Sequence, residues 1–383
     1  MFYQKLGNIP QKRHIQFRKP DGTLYAEELI STEGLYGILS NVYHINLPPN
    51  IDFIEPEREH YPPKEENSFI LKPYHLKTKD VLPKSDFVYG RSTLFFNDDV
   101  EICLCKPKLE MTYFYKNVSC DELVFVHDGS GTLETNLGNL DFHKGDYIVI
   151  PRNVLYQMKS SPNSRFLVFE ANGPIKIPKK YRNEFGQFLE HSPYCERDIR
   201  IPMTLNTKDE KGDYTVKIKR GYYIYTMYYS YHPFDIVGWD GYYYPWIFNI
   251  EDFMPITGKI HQPFNVHQTF EGPGFNVNSF VSRLLDYHPL AIPLPYNHTN
   301  VDMDEMTYYV EGQFSGHKGI ESGSVTMHPS GIPHGPHSRT IDKSIGKDKT
   351  VETAIMVDTA KPLKLTPFSM GLSEDDYAYS WKK

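Results

Sequence analysis

Histidine is unevenly spread along this chain. Eight of its 16 imidazoles (His261, His267, His288, His298, His317, His328, His334 and His337) fall within a fifth of the sequence. Imidazole is the common neutral metal ligand and the general base suited to neutral pH. Within this window His298 precedes a strand-like run that begins at Glu305. A glycine turn follows, then a return run ending in Pro329-Ser-Gly-Ile-Pro-His334-Gly-Pro. In a small β-barrel the start of one strand and the end of its partner meet, so His298, Glu305 and His334 are expected to converge. Two imidazoles and one carboxylate on one face of a cation form the arrangement favoured for non-haem Fe(II) centres that use O2. The set neutralises one positive charge and leaves open positions for substrate and dioxygen. A single histidine at a strand end is ordinarily a hydrogen-bonded core or surface residue, so the grouping carries the reading. His328, one residue before Pro329, is expected beside the ligands as a supporting or substrate-contacting group. His317 and His337 read as solvated loop residues.

The elements that must position these side chains are strands. Short runs rich in Val, Ile, Tyr, Phe and Thr, bounded by Gly, Pro, Asn or Asp, predict strands. They fall at residues 123–127, 147–150, 166–170, 215–219, 222–229, 306–310, 324–327 and 351–357. Helical patterning is confined to short pieces such as residues 180–190. The chain therefore reads as mainly β, a sandwich or barrel.

An internal repeat sharpens this. Residues 121–129 read Asp-Glu-Leu-Val-Phe-Val-His-Asp-Gly, and residues 304–312 read Asp-Glu-Met-Thr-Tyr-Tyr-Val-Glu-Gly. Further on, Gly145-Asp-Tyr-Ile-Val-Ile-Pro151 matches Gly323-Ser-Val-Thr-Met-His-Pro329. The offset falls from 183 to 178 between the two blocks, a five-residue loop difference. Two like β modules in one chain imply a bicupin, two small barrels packed together. The first repeat keeps Glu122 at the Glu305 position, but Tyr115 and Tyr156 stand where His298 and His334 stand in the second. It should bind no iron and serve structure. The expected division is an N-terminal arm over 1–100 that wraps the barrels and a degenerate cupin over 101–200. A connecting β segment over 201–290 and a metal-binding cupin over 291–383 complete it.

Composition excludes several classes. The 383 residues are 39% hydrophobic and 23% charged, which rules out a fibre or a disordered chain. With 41 basic against 48 acidic residues there is no cationic excess for a phosphate backbone, so no nucleic-acid partner is expected. The aromatic run at residues 222–231 lacks interleaved Arg or Lys, and reads as core and subunit contact rather than a base-stacking platform. Four cysteines are too few for a disulfide framework and read as reduced thiols. No apolar run approaches the ~20 residues of a spanning helix, and no secretory layout opens the chain. A cytoplasmic protein with no membrane partner is expected.

At these residues the sequence resembles the homogentisate 1,2-dioxygenase family, in a shorter bacterial branch. The likeness begins with Lys12-Arg-His-Ile-Gln-Phe-Arg and Gly22-Thr-Leu-Tyr-Ala-Glu-Glu-Leu. It runs through His232-Pro-Phe-Asp-Ile-Val-Gly-Trp-Asp-Gly, Phe248-Asn-Ile-Glu-Asp-Phe and His267-Gln-Thr-Phe-Glu-Gly-Pro-Gly-Phe. Pro295-Tyr-Asn-His298 and Pro333-His-Gly-Pro close it. The resemblance implies a bicupin with one ferrous ion per chain, opening homogentisate with O2 to maleylacetoacetate in tyrosine and phenylalanine catabolism. It implies trimers paired into hexamers. Its iron ligands fall on His298, Glu305 and His334, its acid/base histidine on His261, and its substrate contacts on His328, Tyr296 and Phe314. Six residues separate His298 from Glu305, one more than in better-known members. A shorter stretch between His261 and Gly274 leaves His267 as the alternative acid/base. Phe314 replaces a substrate-contacting tyrosine, which keeps open another dihydroxy aromatic acid as substrate. A non-enzymatic bicupin is a further alternative. So is a sugar-phosphate isomerase, for which Lys318 and Arg339 would be the phosphate contacts.

Overall fold

The computed structural model describes residues 2–312, 314 and 319–382, without the side chains of Ser338 and Arg339. Strands form wherever the β-branched and aromatic runs predicted them. The two that carry the repeat, Asp121–Asp128 and Asp304–Gly312, lie at the centre of two large sheets. Seven of eight residues in the first and seven of nine in the second are buried. A continuous apolar run of this kind marks a strand covered on both faces.

The two sheets share one six-strand order. In the N-terminal sheet it runs Trp246–Asn249, Asp146–Ile150, Asp121–Asp128, Arg165–Ala171, Val100–Cys105, Arg91–Phe96. In the C-terminal sheet it runs Tyr74–Lys77, Ser324–His328, Asp304–Gly312, Glu352–Thr359, Phe275–Phe280, Gln268–Gly272. The register matches residue by residue. Glu122 lies opposite Ile150 and Glu170, and Glu305 lies opposite His328 and Asp358. Tyr115 pairs with Tyr156, as His298 pairs with His334. The turn glycines match as well: Gly145 and Gly323 have φ of 87° and 85°, where a Cβ would be strained. The protein is mainly β, a bicupin.

The first strand of each six-strand order comes from outside its own repeat, residues 74–77 in the C-terminal sheet and residues 246–249 in the N-terminal one, which Ile199–Arg200 and Lys364–Leu365 extend at its two edges. This exchange ties the modules together. Between them Tyr308 donates to His127 Nδ1 at 2.7 Å and the Tyr147 and Ser279 hydroxyls bond at 2.9 Å. Burial, with Arg165 adding to it, pushes His127 down to about 3, so its ring stays neutral and accepts this bond.

The modules differ on their second face. The N-terminal sheet is covered by another, ordered Leu140–His143, Ser130–Thr135, Tyr156–Ser160, Phe114–Asn117, Lys211–Arg220, Tyr223–Tyr231. Among the described residues no such sheet covers the C-terminal one, and its inner face looks into a cavity.

Two local expectations need correction. Residues 180–190 form no α-helix: a 3-10 turn at Lys179–Tyr181 is all the helix found there, and the rest is loop. The first hundred residues hold more regular structure than their pattern suggested. Gln4–Gly7, Ala26–Ser31 and Leu39–His44 join Ile236–Gly241 in a four-stranded sheet. The aromatic run is itself a strand, with Ile224 and Tyr231 buried and Tyr228 exposed. All four cysteines are unpaired. Among the described residues no helix is long and apolar enough to cross a membrane.

Candidate metal centre

Strand ends deliver three donor side chains to one point. Glu305 is the second residue of Asp304–Gly312 and is buried among neighbouring strands. His298 and His334 sit on the two loops that flank this sheet end, and each backbone N–H donates to the other's carbonyl, at 2.8 and 2.9 Å. That reciprocal pair fixes the two imidazoles side by side, 4.3 Å between ring centres. Both Nε2 atoms stand 3.3 Å from Glu305 Oε2, and the three donor atoms lie within 4.8 Å of one another. Donors about 2.1 Å from a shared ion at roughly right angles stand about 3 Å apart, so the separations fit a metal. The extra residue between His298 and Glu305 is taken up in the loop before Asp304.

The hydrogen bonding gives the fit a chemical basis. His334 Nδ1 donates to the Ile332 carbonyl at 2.9 Å, which leaves the Nε2 lone pair of the neutral ring aimed at the carboxylate. Two acceptors 3.3 Å apart repel each other unless a cation, a proton or a metal, stands between them. Burial alone would raise Glu305, yet the three imidazoles of His298, His328 and His334 hold it well below the usual carboxylate range. Burial alone would lower His334, yet Glu305 beside it raises it.

The N-terminal module shows what happens when the cation belongs to the chain. Arg91, buried, donates from Nη1 to Glu122 Oε1 at 2.7 Å and to Glu170 Oε1 at 2.5 Å. Its Nη2 donates to the Tyr156 hydroxyl at 3.1 Å, and its guanidinium carbon lies 5.9 Å from the Tyr115 ring centre. The guanidinium is thus surrounded by the register equivalents of Glu305, Asp358, His334 and His298. No lysine or arginine among the described residues pairs with Glu305.

The homogentisate 1,2-dioxygenase N-terminal family matches residues 35–250. The chain belongs to the homogentisate 1,2-dioxygenase family. A Saccharolobus solfataricus protein named as a dioxygenase with no stated substrate is 37% identical over all of this chain and 99% of its own length. The homogentisate 1,2-dioxygenase of Bradyrhizobium diazoefficiens is 25% identical over 79% of this chain and 72% of its own. That of Homo sapiens is 22% identical over 94% and 88%. A cupin barrel protein of Leptotrichia buccalis overlays 78% of this chain and all of its own at a TM-score of 0.35 and 10% identity. As a member of this family the protein is a ring-cleaving dioxygenase, an enzyme acting on an aromatic substrate and O2.

The remaining sequence-predicted residues gather around the triad. His261, Tyr296, Phe314 and His328 all line one cavity of about 670 Å³ with His298, Glu305 and His334. The Tyr296 ring stands edge-on to His261 at 5.4 Å. His328 lies behind the ligand loop, with its ring stacked on His334 at 4.2 Å and its Nδ1 3.6 Å from Glu305 Oε1. His267 does not line the cavity: it is buried, with its ring 4.7 Å from Phe280. His337 is no solvated loop residue, since it stacks on Trp381 at 4.9 Å. His317, Lys318 and the Arg339 side chain lie outside the described residues.

Some groups at the site were not foreseen. Asp358, opposite Glu305 on the next strand, accepts from Asn278 Nδ2 at 2.9 Å. Burial, then the Glu305 charge, raises it to about 7. The repeat held the signal for it, because Glu170 is its counterpart. The C-terminal segment closes the back of the site: Trp381 Nε1 donates to the Gly335 carbonyl at 2.9 Å, and the Tyr377 hydroxyl lies 3.3 Å from His328 Nε2. Nothing in the local pattern of residues 377–382 marked it.

Proposed function

We propose that this protein is an Fe(II)-dependent dioxygenase that opens homogentisate to maleylacetoacetate in tyrosine and phenylalanine catabolism, with His298, Glu305 and His334 holding the iron. The observation that carries the reading is the contrast between the modules: Glu122 has Arg91, whereas Glu305 faces two imidazole nitrogens and no cation among the described residues. A nitrogen–nitrogen–carboxylate face with open positions suits Fe(II). Bound there, the metal would supply adjacent positions for a phenolate and for dioxygen.

The chain's own groups do the rest. Glu305 offsets one charge of the metal, and the bond from His334 Nδ1 to Ile332 fixes the tautomer and ring orientation that ligation needs. His261 takes the substrate hydroxyl proton. Burial, partly countered by Asp286, holds it below its ordinary value, so at pH 7 the ring is neutral and free to accept. Asp286 Oδ2 stands 3.8 Å from its Nδ1, placed to favour the imidazolium that results. Tyr296 orients His261 edge-on, His328 buttresses His334 from behind, and Phe314 contributes an apolar wall in place of a hydroxyl. The apolar lining excludes water from the reacting ring. We place the reaction in the cytoplasm, consistent with four unpaired thiols, and the assembly as trimers or hexamers, as the family resemblance implies.

The test is anaerobic Fe(II) reconstitution followed by oxygen uptake with homogentisate, in the parent protein and in His334→Ala. The variant should lose bound iron and oxygen uptake while its fold is kept. Full activity in the variant would remove the triad from the mechanism.

A further inference from the structure

We propose that, besides homogentisate, the site takes dihydroxyaromatic acids that carry an apolar substituent several carbons long, and that this tail lies along the inner face of the C-terminal sheet with Ala354 opening its path. This deepens the reading above and rests on it.

Size is the first observation. The cavity holds about 670 Å³, whereas roughly 150 Å³ accommodates one benzene ring. With half assigned to the mouth, space for two rings remains.

Direction comes from the strand register. Glu305, Thr307 and Tyr309 alternate along one strand and all line the cavity. Met356 opposite Thr307 and Ala354 opposite Tyr309 line it as well. Four residues of strand span about 13 Å, and a ring with a one-carbon acid arm, built from bonds of about 1.5 Å, covers little more than half of that. The far end is closed by Phe314, whose ring meets Tyr309 edge-on at 5.1 Å.

Chemistry is the third. Past the triad the wall is Thr307, Met356, Ala354, Phe280 and Phe314, with Glu352 at the far end, and Tyr309 turns its hydroxyl to Thr326 Oγ1 at 3.4 Å. The lysines that line the cavity among the described residues, Lys347 and Lys349, belong to the loop before Glu352. The strand partner of Glu352 is Gly312, beyond Tyr309. Among the described residues this stretch offers an alkyl chain burial and offers an anion no cationic partner.

The N-terminal module supplies the internal comparison. Four residues past Glu122, Val126 lies opposite Phe166, whose ring is fully buried. Four residues past Glu305, Tyr309 lies opposite Ala354. Each pair holds one ring, Phe166 beside Val126 and Tyr309 beside Ala354, so the open position of the C-terminal module lies on the strand of Ala354.

The experiment uses full-length protein loaded with Zn(II), which binds without oxygen chemistry. Calorimetry gives the Kd of 2,5-dihydroxyphenylacetate and of homologues with tails of one to eight carbons at each free ring position. For at least one positional series each methylene should tighten binding about four-fold. The gain should reach about 250-fold over four carbons and then level off where the tail meets Phe314. Ala354→Phe, which installs the residue of the N-terminal module, should bring the ratio between short and long tails close to one. Ala354→Val, a smaller change should the first variant fail to fold, should cut that ratio several-fold. No gain with tail length in any series, or a gain that both variants leave intact, overturns the proposal. Failure to bind Zn(II) refutes the metal-site reading itself and is seen separately, in metal content.

Discussion

Replacing Arg91 tests whether the N-terminal module carries its own cation in the place where the C-terminal one needs a metal. Arg91→Met keeps volume and removes the guanidinium. Glu122 then retains the Tyr156 hydroxyl at 2.6 Å and Asn117 Nδ2 at 3.3 Å, but no cation. Glu170 keeps Lys219, which still neutralises it. One buried carboxylate is left uncompensated, and breaking a buried pair from one side costs about 3–5 kcal/mol. At roughly 2.1 cal/mol/K per residue, the 383-residue chain has an unfolding entropy near 0.8 kcal/mol/K. The loss should lower Tm by about 4–6 °C. Thermal unfolding of variant and parent side by side should show this gap. A gap under 1 °C would refute Arg91 as the internal cation.

Further outcomes follow from other named contacts. His44 is buried between Asp235 Oδ1 at 2.7 Å and Glu28 Oε2 at 2.9 Å; burial alone would lower it, but the two carboxylates raise it to about 9. With the folded value above the unfolded ~6.5, this stabilisation is complete below pH 6.5 and is lost as pH rises through 9, about 3 kcal/mol in all. Urea titrations across that range should show the decline in the parent and a flatter profile in His44→Gln; identical profiles would sink the assignment. Trp381→Ala removes the donor to Gly335 and the stack on His337, and should weaken metal binding 10–100-fold in a chelator competition. Unchanged affinity would make the C-terminal segment irrelevant to the centre. His261→Gln should keep the metal and lower kcat by about 10²–10⁴, and full turnover with metal bound would take the proton-accepting role away from it.

The residues that were legible in advance share one property: their neighbours in space are set by regular strand pairing. Glu122 and Glu305 could be aligned because each begins a run that must sit in the middle of a sheet. Tyr115, Tyr156, His298 and His334 followed from the same spacing. Groups supplied from outside the repeat were invisible for the opposite reason. Arg91 reaches Glu122 from three strands away, and Trp381 reaches the His334 loop across 46 residues of sequence. Residues 180–190 misled because a helical period in a short segment gains nothing unless a face is buried, and here Phe185 is exposed.

The same skeleton thus solves one electrostatic problem in two ways. A carboxylate at the start of the central strand is enclosed by its neighbours in both modules, and an enclosed negative charge requires a positive one. In the N-terminal module the answer is permanent: a guanidinium, a second sheet over the opening, and a phenylalanine at position 166 where space would otherwise remain. In the C-terminal module each of these is missing together. Among the described residues no arginine pairs with Glu305 and no second sheet covers the opening, and alanine stands at position 354. Losing any one alone would cost stability and give nothing in return. Their joint absence fits a charge brought from outside the chain and an apolar group in the space, which is why the proposed metal and the proposed shape of the substrate belong to one argument.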